Sequence, residues 1–139
     1  MSLSTAIDGL RTRLATMTGL VRTYPDPPES INEFPSLIVY SKDGVMYYTA
    51  SGGYSLHTLV AEVYLARQYL PEVVDSAKPW PDRAFAALKA DQTLGGAVSH
   101  VVWDTTGGVG LRYQTLPLQY NQQLCFGVRF TITVKVNES

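Results

Sequence analysis

Four side chains in this 139-residue sequence are the ones best suited to chemistry: His57, His100, Glu62 and Cys125. The two histidines lack the HxH or HxxxH spacing that places two metal ligands side by side. Cys125, the only cysteine, has no histidine or acidic partner near it in the sequence, so its expected role is structural. Glu62 lies in a largely apolar stretch, where a carboxyl group can act as a general acid but more often pairs with an arginine or lines an interface. We therefore predict no catalytic residue, no metal site and no cofactor.

The glycine-rich segment Gly107-Gly108-Val109-Gly110 is the remaining motif with a chemical interpretation, because such segments can cradle phosphate groups. It lacks the GxxxxGK[ST] and GxGxxG patterns, and its surroundings place it in a hairpin rather than before a helix. The GxSxG, SxxK and CxxC motifs do not occur in the sequence either. A small enzyme or ligand-binding domain, with Glu62 and a histidine in one pocket, stays an alternative.

Composition narrows the functional class. Charged residues make up only 17% of the chain and its formal net charge is −1, whereas a nucleic-acid-binding protein needs a basic face. Nine tyrosines on a surface so poor in charge are typical of protein interfaces. No apolar run approaches the ~20 residues of a membrane span, and no signal peptide is visible. A single cysteine allows no intrachain disulfide, so we expect folding in the cytoplasm.

The element that must position these residues is the stretch Leu124–Val136. Its even positions are all apolar, whereas its odd positions are mostly polar or small. A period of two over this length predicts a β-strand with one buried face, since successive side chains point to opposite sides. We expect it to be the central strand of the fold. The side chains predicted to enter the core are Leu124, Phe126, Val128, Phe130, Ile132, Val134 and Val136.

Two regions precede the sheet. Apolar residues at spacings of three and four predict an amphipathic helix within residues 1–22, capped by Ser2 or Ser4 and ending near Gly19. Gly9 weakens this helix by up to ~1 kcal/mol relative to alanine, so packing must hold it. Residues 23–35 contain four prolines, which predicts a stiff connection along the surface. The helical stripe consists of Leu3, Ile7, Leu10, Leu14, Met17 and Val21.

Residues 36–139 are predicted to form the sheet. Ser36–Tyr40 should be a short strand, and the Asp43-Gly44 pair a hairpin turn that leads into a returning strand, Val45–Thr49. After a turn at Ser51-Gly52-Gly53, Ser55–Ala66 is predicted to be a long strand, partly covered on both faces. A helix is the alternative for that segment, because some of its apolar residues also fit helical spacing.

A helical excursion over residues 70–94 interrupts the strands. Pro71 is expected at the first position of a short helix that reaches Ala77. A second helix should begin at Pro81-Asp82, with Lys89 in its last turn, and stop at Gly95-Gly96. Its predicted buried stripe is Ala84, Phe85 and Leu88.

Three strands are predicted to follow the excursion: Ala97–Trp103, Leu111–Tyr120 and the central strand. Pro117 confines the middle one to an edge or a bulge, and residues 121–123 form the last turn. The order of elements predicts one α+β domain over residues 1–139, with a mostly antiparallel sheet and helices on one face.

Several blocks together resemble the tail-terminator, or tail-completion, proteins of long-tailed bacteriophages. The likeness covers most of the chain from Pro35 onward, and its motifs are structural patterns rather than catalytic signatures. The blocks that carry it are Pro35–Tyr40, Val60–Leu65, Leu70–Glu72, Pro79–Arg83 with Ala87-Leu88, Leu94–Gly96 and Gly127–Val136.

The resemblance implies an α/β protomer that forms a homo-oligomeric ring, a hexamer, on the end of the tail tube. Such a ring would stop polymerisation of the tail tube protein and offer a docking surface to the head-tail connector or stopper protein. Genomic DNA would pass through its lumen without sequence-specific binding, in a virion neck assembled in the host cytoplasm and without contact to a membrane. Other neck and head-completion proteins share this size and style and form the alternative. The residues expected at interfaces are Tyr47, Tyr48, Tyr54, Glu62, Trp80 and Arg83.

Overall fold

The computed structural model describes residues 2–49, 52–67, 71–102 and 111–138, which form a single α+β domain. The predicted fold class, a mostly antiparallel sheet with helices on one face, is confirmed. The elements are α1 Leu3–Leu14, β1 Arg22–Thr23, β2 Ser36–Thr49, β3 Gly52–Ala66, α2 Pro71–Ser76, α3 Trp80–Ala90, β4 His100–Val101, β5 Arg112–Tyr120 and β6 Gln123–Glu138.

The alternating C-terminal strand lies at the centre of the sheet, as predicted. Along one side β6 pairs with β3, and along the other it pairs with β5 and then β4. The described strands follow the order β1-β2-β3-β6-β4, with β5 beside β6, and only the two-residue β1 pairs in parallel. A long strand at Ser55–Ala66 is also confirmed, although it begins earlier, at Gly52.

One face of the sheet, called here the helical face, packs against α1 and α3. Alternate residues of β2, β3 and β6 enter this core, where Phe130 is fully buried. Of the seven predicted core side chains of β6, six are buried and Leu124 is 55% exposed, so that part of the prediction is wrong. Leu124 lies next to the β5–β6 turn, beyond the reach of the helices, since its ladder partner is Gln119 near the end of β5.

The N-terminal helix is shorter than predicted. Ser2 caps it by accepting a hydrogen bond from the Thr5 backbone N–H, and it ends at Leu14 rather than near Gly19. Val21, predicted to belong to the buried stripe, is exposed. Met17 is buried beyond the helix end, because the turn after α1 carries it back onto the core. Because Met17 follows the helical spacing without being in the helix, the sequence pattern predicted a helix that is too long.

The Asp43-Gly44 pair does not form the predicted hairpin turn. β2 continues through it to Thr49, and an irregularity between Ser41 and Asp43 absorbs one residue. The reason is tertiary pairing: β3 offers a long continuous partner, so the local turn preference loses to a longer ladder. Thr49 pairs with Gly52. Of the turn predicted at 51–53, both glycines therefore lie in β3, and Ser51 lies outside the described residues.

The helical excursion is confirmed with corrections. Pro71 is the first residue of α2, which ends at Ser76, one residue before the predicted end. α3 begins at Trp80, one residue before the predicted start, and ends at Ala90 rather than at Gly95-Gly96. Phe85 was predicted to be buried in α3 but is 47% exposed, while Trp80 and Ala87 join Ala84 and Leu88 in the core.

A turn replaces the first residues of the strand predicted at Ala97–Trp103. In this turn the Asp91 carboxylate accepts hydrogen bonds from the backbone N–H groups of Thr93 and Gly95. The hydrogen bond from the Thr93 hydroxyl is the main reason that the pKa of Asp91 lies below its usual range. Of residues 97–102, the described part of that prediction, only His100–Val101 is strand. Trp103 and the glycine segment at 107–110 lie outside them.

The β5–β6 hairpin has the predicted turn. Asn121 and Gln122 both have positive φ, 47° and 69°, and Tyr120 pairs with Gln123 across them. Two such residues form the tight turn that suits antiparallel strands. Pro117 lies in β5, which pairs only with β6 among the described strands, so the predicted edge position is confirmed.

Candidate functional site

The outer half of the β2–β3 hairpin exposes an unusual apolar surface. It consists of residues 44–49 and 52–56 and is called here the arm. Four consecutive apolar or aromatic side chains of β2 are exposed on it, with Met46 69% and Tyr48 93% exposed. Monomeric proteins rarely expose contiguous apolar residues in this way, and such patches mark interaction sites. The exposed residues are Val45, Met46, Tyr47 and Tyr48.

Aromatic contacts hold one side of the arm in place. The rings of Tyr47 and Tyr54 stack with their centroids 4.8 Å apart, and they are cross-strand partners. On the next strand, Lys135 places its Nζ atom 4.7 Å from the Tyr54 ring centroid, a cation–π contact. Tyr48 points to the other side of the sheet, opposite Gly53. The arm therefore presents Tyr48 from an ordered scaffold, which lowers the entropy cost of binding.

The face of the sheet away from the helices, the opposite face, carries a charged cluster. Arg129 Nε donates to Glu62 Oε2 at 2.8 Å, and the Tyr64 hydroxyl donates to Glu62 Oε1 at 3.0 Å. Burial, followed by the charge of Glu62, raises the pKa of the Tyr64 hydroxyl, so this group stays a proton donor. Burial, followed by the charge of Glu62, also raises the pKa of the Tyr40 hydroxyl. The expectation that Glu62 pairs with an arginine is confirmed.

A groove of about 290 Å³ opens beside this cluster. Its walls include Pro27 from the proline-rich connection, Tyr40 from β2 and Tyr120 from β5. Glu62 and Arg129 also line it, and the Arg129 side chain is 35% exposed. This arrangement is a satisfied ion pair with partial access to solvent rather than an isolated reactive group.

The proline-rich connection lies across the opposite face and buries Ile31 there. Three side chains at the β5–β6 turn hold it by donating to its carbonyl oxygens: Tyr120 to Pro28, Asn121 to Glu29 at 2.7 Å and Gln123 to Ile31 at 3.3 Å. The predicted surface connection therefore also covers a second, smaller core. That core contains Ile31, Ile38, Tyr64, Leu118 and Cys125.

Trp80 and Arg83, the remaining residues predicted at an interface, lie together at the start of α3. The Trp80 ring is only 3% exposed, so within the protomer it belongs to the core. Arg83 covers it with its guanidinium carbon 4.8 Å from the ring centroid. Only the arginine is thus available to a partner at this position. The structure groups Tyr47, Tyr48 and Tyr54 on the arm and leaves Glu62 and the Trp80–Arg83 pair elsewhere.

The residues considered for chemistry lie apart from one another. His57 is buried on the helical face, whereas Glu62 faces the other side of β3. His100 is exposed on β4, opposite Lys135. Cys125 is buried in the smaller core, which raises the pKa of its thiol. In the described parts of the chain, no three His, Cys, Asp or Glu side chains gather into a possible metal site.

Sequence reasoning missed two features of these surfaces. The exposure of Val45 and Met46 was hidden, because the misplaced turn at Asp43-Gly44 made them part of an ordinary short hairpin. The Arg129 partner of Glu62 had a signal: it is the one ionised residue in the middle of the predicted central strand, as Glu62 is in its own strand.

Comparisons with known proteins add no identification. No protein-family model matches the sequence, and no curated protein matches it significantly. A separate finding concerns membranes: none of the helices described in the structure has the length and apolarity needed to span one.

Proposed function

We propose that this chain is a virion structural protein, a tail terminator that forms a homo-oligomeric ring, most simply a hexamer, on the end of a phage tail tube. The observation that carries the proposal is the arm, with its four consecutive exposed apolar and aromatic residues. Tyrosine is among the residues that contribute most to binding energy at interfaces. An ordered arm that projects Tyr48 at 93% exposure is suited to contact with another protein rather than with solvent.

The placement of the ionisable groups favours this proposal over an enzyme. The alternative requires Glu62 and a histidine in one pocket, but His57 lies on the other face of β3. His100 pairs with Lys135, six ladder positions from Arg129, which is roughly 20 Å at the rise of a strand. Glu62 is engaged at both carboxylate oxygens, by Arg129 and Tyr64. Glu62, Arg129 and Tyr64 thus act as structural partners in the fold.

The proposed partners follow from the ring. The arm would contact a neighbouring copy of the chain or the tail tube protein, and the head-side surface of the ring would receive the connector or stopper protein. DNA would pass through the lumen without sequence-specific contacts. The formal net charge of −1 is consistent with that role, because the chain is not basic. A neighbouring position in the neck, as a head-completion protein, is the second candidate, because the same exposed arm would serve any ring of the neck.

Ring formation is the direct test. Purified protein would be measured by native mass spectrometry and electron microscopy at rising concentration, alone and with tubes assembled from the cognate tail tube protein. We expect closed particles of cyclic symmetry with an open lumen, located at tube ends when tubes are present.

Two outcomes would contradict the proposal. One is a protein that stays monomeric in both conditions and never occupies a tube end. The other is a reproducible turnover of a small substrate that disappears in Glu62→Gln, because a structural carboxylate has no turnover to lose. Rings that form but bind only to the head-side connector would move the protein to the second candidate.

A further inference from the structure

The sheet has two edges that differ in how well they are protected. On the outer side of β2, β1 pairs only with Ser36 and Leu37, and no other described strand covers the rest of that edge. The part near Lys42 carries charge and a bulge, both of which discourage further pairing. The arm segment Val45–Thr49 has neither. It is uncharged, free of proline and rich in β-branched and aromatic residues, the composition that pairs readily with another strand.

The other edge is β5, which pairs only with β6 among the described strands. Pro117 blocks its C-terminal half, since proline has no N–H to donate to an added strand. Residues Tyr113–Thr115 precede this block and are exposed. Among the residues that the structure describes, a short open stretch therefore lies on each side of the same sheet, one on the arm and one on β5.

Strand direction makes these two edges complementary. The four strands β2, β3, β6 and β5 lie side by side, and each pairs antiparallel with the next. β2 and β5 consequently run in opposite directions. If a second copy is placed beside the first in the same orientation, its β2 meets β5 of the first copy antiparallel, and the alternation continues without interruption.

We propose that the arm edge of one subunit, Val45–Thr49, adds as an antiparallel strand to the β5 edge of the next copy at Tyr113–Thr115. This inference rests on the proposed function, because it names the contact that closes the ring. The contact joins two different surfaces of the same chain, which is the head-to-tail arrangement that a cyclic ring requires. The partner recognised through this edge is a second copy of the chain.

The offset between the two stretches is compatible with closure. Val45 pairs with Leu56 of β3, and Leu56 pairs with Lys135 of β6. On the other side of β6, Gln114 pairs with Arg129. The difference of six positions along β6 shifts each copy by roughly 20 Å along the strands, while four strands span about 19 Å across them. Strands inclined by about 45° to the ring axis accommodate this stagger, which is the tilt found in closed β-barrels.

Side-chain alternation gives a sharp test with engineered cysteines. Opposed residues of paired strands share a face, so Met46 must meet Thr115 or Tyr113 of its neighbour, and not Gln114. These positions are exposed, and the natural Cys125 is buried. Met46→Cys protein would be mixed with Thr115→Cys or Tyr113→Cys protein, assembled into rings alone or on tube ends, and oxidised.

We expect covalent dimers from at least one of these two mixtures, in at least tenfold excess over the matched mixture of Met46→Cys with Gln114→Cys. A chain carrying the productive pair together should give a ladder of covalent oligomers up to the full ring. Rings of normal mass without selective crosslinking would overturn the edge pairing and leave the proposed function intact. Dimers from Met46→Cys alone would indicate a two-fold contact and also overturn it. A chain that forms no ring in any condition overturns both.

Discussion

Glu62 and Arg129 are direct partners in the β3–β6 ladder, and their side chains form an ion pair of 2.8 Å on the opposite face. The carboxylate side chain is 7% exposed and the guanidinium side chain 35% exposed. A buried charge needs its partner more than a half-exposed one does, because the free energy of desolvation is larger for the buried group. The two ends of this pair should therefore respond unequally to substitution.

Arg129→Met should lower the free energy of unfolding by about 2–4 kcal/mol, because it leaves a buried carboxylate with Tyr64 as its remaining donor. Glu62→Gln should cost about 1–2 kcal/mol, since the remaining arginine can reach solvent. The double variant should be more stable than Arg129→Met alone. Urea denaturation of all four proteins measures this coupling. Equal costs of the two single substitutions, with simple additivity, would contradict it.

The core and the arm should separate in a pair of aspartate substitutions. Phe130→Asp removes a fully buried ring at a cost of roughly 3–5 kcal/mol and adds an unpaired charge, which approaches the whole stability of a domain. We expect no cooperative thermal unfolding from that variant. Tyr48→Asp, at a 93% exposed position, should keep the transition of the natural chain and lose ring formation.

Two controls complete that comparison. Phe85→Asp changes a half-exposed aromatic on α3 and should leave both folding and ring formation intact. Tyr47→Asp should lose about 1 kcal/mol, because the stack on Tyr54 disappears, and still show a cooperative transition. If Tyr48→Asp protein forms rings as readily as Phe85→Asp protein, the arm is ordinary surface.

Gly9→Ala tests a close contact against helix propensity. Alanine at an interior helix position gains about 1 kcal/mol over glycine. A Cβ atom at Gly9 would lie 2.5 Å from the Ala97 Cβ and 3.0 Å from the Leu94 carbonyl oxygen, and such overpacking costs about 1–3 kcal/mol. We expect the packing cost to prevail and the midpoint of denaturation to fall. Thr12→Ala, at an exposed position of the same helix, should raise it slightly. If both variants raise the midpoint of denaturation, the 91–97 turn moves away from the added methyl group at little cost.

Stability should fall in alkaline solution because of Tyr64 and Tyr40. Both have a pKa raised above the ordinary value of 10.0 in the folded chain, first by burial and then by Glu62. Below pH 10 both states hold these protons and the full stability is present. Above pH 10 the unfolded chain releases them first, so the free energy of unfolding decreases as pH rises. Urea denaturation between about pH 8 and about pH 11 measures the slope of the free energy of unfolding against pH. In Tyr64→Phe it should be shallower, and an unchanged slope would assign the effect to other groups.

The parts of the fold that sequence predicted are those where one pattern dominates. β6 alternates over thirteen residues, so its strand type and its buried face followed from periodicity, except at Leu124. Fold class followed from the order of such segments. Local signals failed where pairing over a longer range competed with them: the Asp43-Gly44 turn signal lost to the long ladder with β3.

The candidate site was predicted only in part for a related reason. Tyr47 and Tyr48 were expected to reach a partner from a short hairpin after Asp43-Gly44. They are exposed on the arm, although that turn is absent. Trp80 is equally typical of interfaces by residue type, yet it is buried under Arg83. This burial depends on how α3 packs, and no periodic pattern in the sequence indicates it. Edge exposure is a property of the whole sheet. It cannot be read from β2 alone, because it depends on which strands take the other places.

The central position of β6 also determines when this sheet can form during protein synthesis. β6 leaves the ribosome after every other described strand, although β3, β4 and β5 all pair with it. Until residues 123–138 have been made, the β2–β3 hairpin can form with its β3 edge unpaired and with the uncharged Val45–Thr49 edge of β2 open. A translational pause before residue 123 therefore leaves a nascent chain prone to aggregate and dependent on chaperones.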